Sequence, residues 1–168
     1  SAAAGGITLD AGGKTATHYR VDAAPIDGLK IGADYFETSS VVGSPDQKPE
    51  SGAYYATYAA GPATIGYNKS YAALGVSGIS DVVEYVENTK YSIGFNVNDN
   101  LSISYENEES EPNTTANSTT YTLESTGVQA TYTMGGMTLG VAHNEHENAA
   151  YTQNKDVKDT VFSLVLAF

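Results

Sequence analysis

The sequence predicts an all-β fold: an antiparallel, up-and-down transmembrane β-barrel with about nine strands present in the chain. Three observations carry this expectation. Apolar and polar residues alternate with period two through segments of 7 to 12 residues, the pattern of strands with one wet and one dry face. The links between those segments alternate short and long along the chain. The composition supplies 33 Ser plus Thr, 17 Gly and 13 Tyr but only 4 Phe and no Trp, which suits strands and wet–dry boundaries better than helices or a large dry core.

In order, the alternation predicts strands at Thr17 to Ala24, Leu29 to Thr38, Ala53 to Ala60, Ala63 to Leu74, Tyr85 to Val97, Leu101 to Glu106, Thr126 to Met134, Met137 to Asn144 and Thr160 to Phe168. Ile7 to Ala11 is a weaker candidate for a tenth. The short links are Pro25 to Gly28, Gly61-Pro62, Asn98 to Asn100 and Gly135-Gly136, all residues that tolerate tight turns. The long ones are Glu37 to Gly52, Gly75 to Glu84, Asn107 to Ser125 and Glu145 to Asp159, polar and mostly acidic. A meander with one tidy end and one elaborated end produces this rhythm, whereas compact soluble domains seldom carry repeated loops beyond about 12–15 residues.

The charge balance, 20 acidic against 8 basic residues for a net −12, opposes binding to a phosphate backbone, so no nucleic-acid partner is expected. Cysteine is absent, which removes disulfides, thiolate metal sites and Cys nucleophiles. No apolar run approaches the roughly 20 residues of a membrane helix, but a spanning strand needs only about 9–11. The first residues carry no initiator Met and no leader-like pattern, so the chain reads as a mature form or a fragment. A soluble β-sandwich with its apolar faces inward is the competing arrangement. Its core calls for large aliphatics and aromatics, where this chain offers mostly Ala and Tyr.

The terminal strand DTVFSLVLAF ends on Phe168 with an apolar residue at every second position before it. It resembles the closing strand of outer-membrane barrels, which makes Phe168 a candidate membrane-insertion signal. The stretches DAGGKTATHYRVD, IGADYFETSS, YSIGFNVNDNLSISYENEES and YTMGGMTLGVAHNEHEN resemble the C-terminal half of general-diffusion porins of the alphaproteobacterial type. The resemblance spans nearly the whole chain. It implies an integral protein of the bacterial outer membrane, a water-filled channel for passive diffusion of small hydrophilic solutes and ions, and no enzymatic activity. It also implies a homotrimer, contact with lipid and lipopolysaccharide, and completion by the remaining strands of the same porin. Porin barrels have about 16–18 strands, and nine cannot close as an antiparallel ring. The chain is therefore expected to be one segment whose N-terminal strands and constriction loop lie elsewhere. A complete small barrel of 8–10 strands with a structural or adhesin role is the alternative.

Period two then selects the residues that face water inside such a barrel: His18, Arg20, Asp22, Lys30, Asp34, Asn68, Lys90, Asn96, Ser102, Ser104, Glu106, Gln129 and Thr131. Arg20 is the only arginine, and its cluster either sets a field across a pore or neutralises the wall through cross-strand pairs. The HNEHEN run places His143 and His146 near Glu145 and Glu147. Residues i and i+3 of a strand point to opposite faces, so a tight metal site is not expected there. The acidic stretch Glu106 to Glu111, with Asp156 and Asp159, reads as a solvated external loop. No cofactor is expected; the carboxylates of the acidic loops suit hard divalent cations such as Ca²⁺ and Mg²⁺, so a weakly bound Ca²⁺ is admitted there. Sequons at Asn113 and Asn117 indicate only an exposed loop. A dyad of His143 with Asp159 is the nearest approach to catalytic chemistry.

Overall fold

The computed structural model describes residues 2–11, 14–39, 49–73, 83–114 and 120–167. They form one antiparallel sheet of ten strands in strict sequence order. The strands are β1 (Ala2–Ala11), β2 (Lys14–Ala23), β3 (Leu29–Thr38), β4 (Glu50–Ala60), β5 (Ala63–Ala73), β6 (Val83–Asn96), β7 (Leu101–Thr114), β8 (Leu123–Met134), β9 (Met137–Glu147) and β10 (Val157–Leu166). The weak candidate at residues 7–11 is thus part of a full strand, and the count is ten. An even count removes the parity objection to closure. The sheet is nevertheless open: β1 pairs with β2 and β10 with β9, with no ladder joining the two edges among the described residues.

The tidy end is built as its residues dictate. Gly28, Gly61 and Gly135 take positive φ, the left-handed region that only glycine enters without steric cost. Asn98 closes the third turn by accepting the backbone N–H groups of Asn100 and Leu101 on Oδ1 at 2.9 and 3.0 Å. At the other end, β2, β4, β6, β7, β8, β9 and β10 all outrun their apolar alternation. β7 continues to Thr114, so Glu106 to Glu111 is strand and not loop, and β8 and β10 begin three residues earlier than the pattern shows. The long links shorten accordingly, and residues 40–48, 74–82 and 115–119 lie outside the described residues, as does Phe168.

Cross-strand partners share a face, so the register assigns every described side chain of β2 to β10 to one of two surfaces. The apolar face carries, among others, Val21, Ile31, Ile65, Ile93, Ile103, Val128, Leu139 and Leu164. These residues do not meet across a dry interior. Phe162, Leu164, Val128 and Ile93 are 79%, 57%, 53% and 48% exposed, and no hydrophobic side chain is buried among the described residues. From Tyr91 to Phe95 on β6 the exposed residues are Tyr91, Ile93 and Phe95, and the half-buried ones are Ser92 and Gly94. A second sheet to cover the apolar face is absent among the described residues, so the sandwich arrangement has no counterpart here.

Candidate functional site

All thirteen residues that period two selected lie on the polar face. His18, Arg20 and Asp22 are on β2, Lys30 and Asp34 on β3, Asn68 on β5, Lys90 and Asn96 on β6, Ser102, Ser104 and Glu106 on β7, and Gln129 and Thr131 on β8.

Their charges are largely satisfied within the face. Arg20 donates from Nε and Nη2 to the two carboxylate oxygens of Asp22, at 2.6 and 3.2 Å. Register places Arg20 directly opposite Asp34, yet the fork closes on Asp22 two residues along its own strand. Tyr55 of β4 explains the preference: its hydroxyl donates to Asp22 Oδ1 at 2.7 Å from the strand beyond β3. The Tyr55 ring reaches that far because Gly32 lies beneath it. A Cβ at Gly32 would stand 2.4 Å from Tyr55 Cε1 and 2.7 Å from Asp22 Oδ1. Asp34 is left to His18, with Nε2 at 3.7 Å from Oδ2, while Lys30 has no ion-pair partner among the described residues. On the far side, Lys90 binds Glu106 at 2.9 Å and approaches Glu108 at 3.8 Å.

The charge-free part of the same face lies at the tidy end. Asn96, Ser102 and Thr131 form one cross-strand row, with Ser104 and Gln129 in the next. Both rows line an open hollow of about 200 Å³, and the first row, with Pro62, Asn98, Asp99, Asn100, Leu101 and Thr133, lines an adjoining one of about 410 Å³ at the turn.

His143 and His146 fall on opposite faces as their spacing requires. His143 on the apolar face lies 2.8 Å from Thr160 Oγ1 and 3.3 Å from Glu145 Oε1. His146 on the polar face lies 2.8 Å from Ser125 Oγ and 3.9 Å from Asp159. Asp159 therefore faces His146, and the His143–Asp159 dyad does not form. Among the described residues, no three His, Asp or Glu side chains converge as metal ligands. The acidic stretch is divided likewise: Glu106 and Glu108 are on the polar face, and Glu109 and Glu111 are on the other.

Two groups gave no signal in the sequence. In the sequence, Tyr55 is one of 13 tyrosines and belongs to no motif. Ser110, only 5% exposed, receives Tyr151 at 2.9 Å because the link after β9 folds back over the polar face. That link turns through Asn148, Ala150, Tyr151 and Asn154, all at positive φ.

The boundary where the apolar face turns polar is itself ordered. From β2 to β10, the first polar residue above the apolar stripe is Thr17, Glu37, Glu50, Lys69, Thr89, Asn107, Thr126, His143 and Thr160. Thr17, Glu37 and Glu50 share one cross-strand row. The boundary then falls four residues between β4 and β5 and two more at each of the β6–β7 and β8–β9 junctions, so eight residues over eight steps. One residue per strand, at about 3.3 Å along a strand and 4.8 Å between strands, inclines the strands by about 35° to the normal of that boundary. Tyr19, Tyr35, Tyr67, Tyr91 and Tyr105 each end the stripe just below it. Tyr54, Tyr67 and Tyr91 run together there, with ring centroids 5.9 and 5.2 Å apart.

Beyond the stripe, Lys158 donates to Glu145 Oε1 at 2.9 Å, and this hydrogen bond followed by that of His143 lowers the Glu145 carboxyl below its usual range. A carboxyl depressed by folding contributes above its unfolded pKa, and the contribution disappears as pH falls through the folded value. The β9–β10 pairing at Lys158 to Thr160 is therefore expected to loosen below the ordinary carboxylate range. Amide exchange corrected for intrinsic rate should be faster at pH 3 than at pH 7, and Lys158→Met should flatten that difference.

Comparison of the chain with protein-family models finds no match, and none of the curated proteins matches it.

Proposed function

We propose that this chain is a wall segment of an outer-membrane porin, its apolar face in lipid and its polar face lining a water-filled channel for passive diffusion of small hydrophilic solutes. The slanted boundary of the apolar stripe carries the reading. Sheet rows have no reason to pass from Tyr67 and Tyr91 to Asn107, Thr126 and Glu145 unless something outside the protein sets the boundary. A bilayer surface does so. The inclination of about 35° is that of strands in closed transmembrane barrels. The tyrosines at the edge occupy the headgroup level, where an apolar ring with one polar end is most stable.

The open edges support the segment reading. Unpaired N–H and C=O groups in hydrocarbon cost several kcal/mol each, so β1 and β10 need partners. Further strands of the same porin would supply them, in the homotrimer that the resemblance implies. Passage is sieving plus electrostatic bias, with no bond made or broken.

The even count favours one alternative, a small barrel in which β10 pairs with β1 and the lumen is filled. Small residues on β5 to β9, such as Ser92, Gly94, Ser104 and Gly127, leave such a lumen space. Reconstitution of the full protein in planar bilayers separates the two. Stepwise conductance and swelling of sugar-loaded liposomes are expected of the porin, and a folded but non-conducting protein would overturn it.

A further inference from the structure

We infer that the charge-free hollow at the tidy end of the polar face is a weak binding site for neutral polyhydroxylated solutes, with the saccharides as its chemical class. The inference rests on the proposed pore and names what that pore favours.

The side chains of Asn96, Ser102, Ser104, Gln129 and Thr131 make no hydrogen bond among the described residues, though all five project from one face. The charged groups of that face behave oppositely: Arg20, Asp22, Lys90 and Glu106 are engaged with one another or with Tyr55. On these two rows, then, the neutral donors and acceptors are left free while the nearest charged clusters of the face are paired. Every free group is a hydroxyl or a primary amide, able to donate and to accept. They stand on a grid of about 5 Å between strands and 7 Å along them, and all five line a hollow of about 200 Å³ that shares Pro62, Asn96, Ser102 and Thr131 with the adjoining one of about 410 Å³.

This chemistry discriminates by charge. A sugar exchanges hydrogen bonds with water for equivalent ones with the wall. An ion that sheds water here meets no opposite charge on the lining residues, since the Asp99 carboxylate lines only the adjoining hollow at the turn, and little offsets its desolvation. With no aromatic ring on these rows to stack on, the affinity is low enough for release, as conduction requires.

The test uses the full pore-forming protein in bilayers, with D-glucose, gluconate and glucosamine as probes. Glucose is expected to reduce single-channel current in a saturable way, and the two charged analogues are not. Ser104→Ala, Gln129→Met and Thr131→Val should each raise the half-effect concentration about fivefold, the factor for one lost hydrogen bond. Equal effects of all three probes, or variants indistinguishable from the parent, would overturn the inference while the pore stood. Glucose-induced shifts of the Gln129 side-chain amide in detergent-folded protein supply the independent readout. Shifts without conductance would leave the site and remove the pore, whereas conductance without shifts would do the reverse.

Discussion

Ile93→Arg is expected to cost about 2–4 kcal/mol of folding stability in lipid, the price of a guanidinium near the bilayer midplane on a barrel strand. Ile93 lies in the middle of the β6 stripe, between Tyr91 and Phe95, with Ile65 and Tyr105 as its cross-strand partners. Its side chain is exposed, so the substitution opens no cavity and breaks no hydrogen bond. Whatever destabilisation appears therefore reports the medium outside. If that medium were water, the change would fall within the ±0.5 kcal/mol of ordinary surface substitutions and would raise solubility. The neighbouring Ser92→Arg is the control, since it points to the polar face, with Glu106 as its partner on β7, and should be tolerated in lipid. Denaturant titration of folding into vesicles reads both. Near-equal midpoints for Ile93→Arg and Ser92→Arg would contradict the assignment of lipid to the apolar face.

The same distinction between media explains which parts of the fold were legible in the sequence. β3 is legible at both ends because every second residue from Leu29 to Tyr35 belongs to the apolar stripe, and Gly28 punctuates its start. On β7 the alternation stops at Glu106, eight residues before the strand does. Above the stripe both faces meet water, alternation has nothing to record, and a strand of Glu, Asn and Ser looks like a loop. β1 is rich in Ala and Gly and gives almost no period. The face of each candidate residue is legible for a geometric reason: a strand has no choice but to alternate, so fixing Val128 or Ile103 on one side fixes its neighbour Gln129 or Ser104 on the other. The partners are not. Tyr55 and Asp22 are 33 residues apart and meet across an intervening strand, a contact set by register and by the missing side chain at Gly32. Likewise nothing local to the HNEHEN run says that Ser125 and Asp159 receive His146 while Thr160 receives His143.

The Gly32 contact is where packing and charge on the polar face are coupled, so Gly32→Val has the second largest expected effect. A Cβ at this position overlaps the Tyr55 ring and crowds the Asp22 carboxylate. Both must move, and overpacking of this kind costs about 1–3 kcal/mol. Tyr55→Phe keeps the ring over Gly32 and removes only its hydroxyl, for about 1 kcal/mol. If the ring's seat on β3 matters more than its hydrogen bond, Gly32→Val should be the less stable of the two. Arg20→Gln isolates the charge. It leaves Tyr55 seated but strips Asp22 of its guanidinium, and with Asp34 held only by His18 the wall gains uncompensated negative charge. Under a salt gradient the reversal potential should then move toward cation preference, while Tyr55→Phe leaves it near the parent. Should Arg20→Gln leave the reversal potential unmoved, the cluster would be a neutralised patch of wall, and ion preference would have to arise at strands beyond this chain.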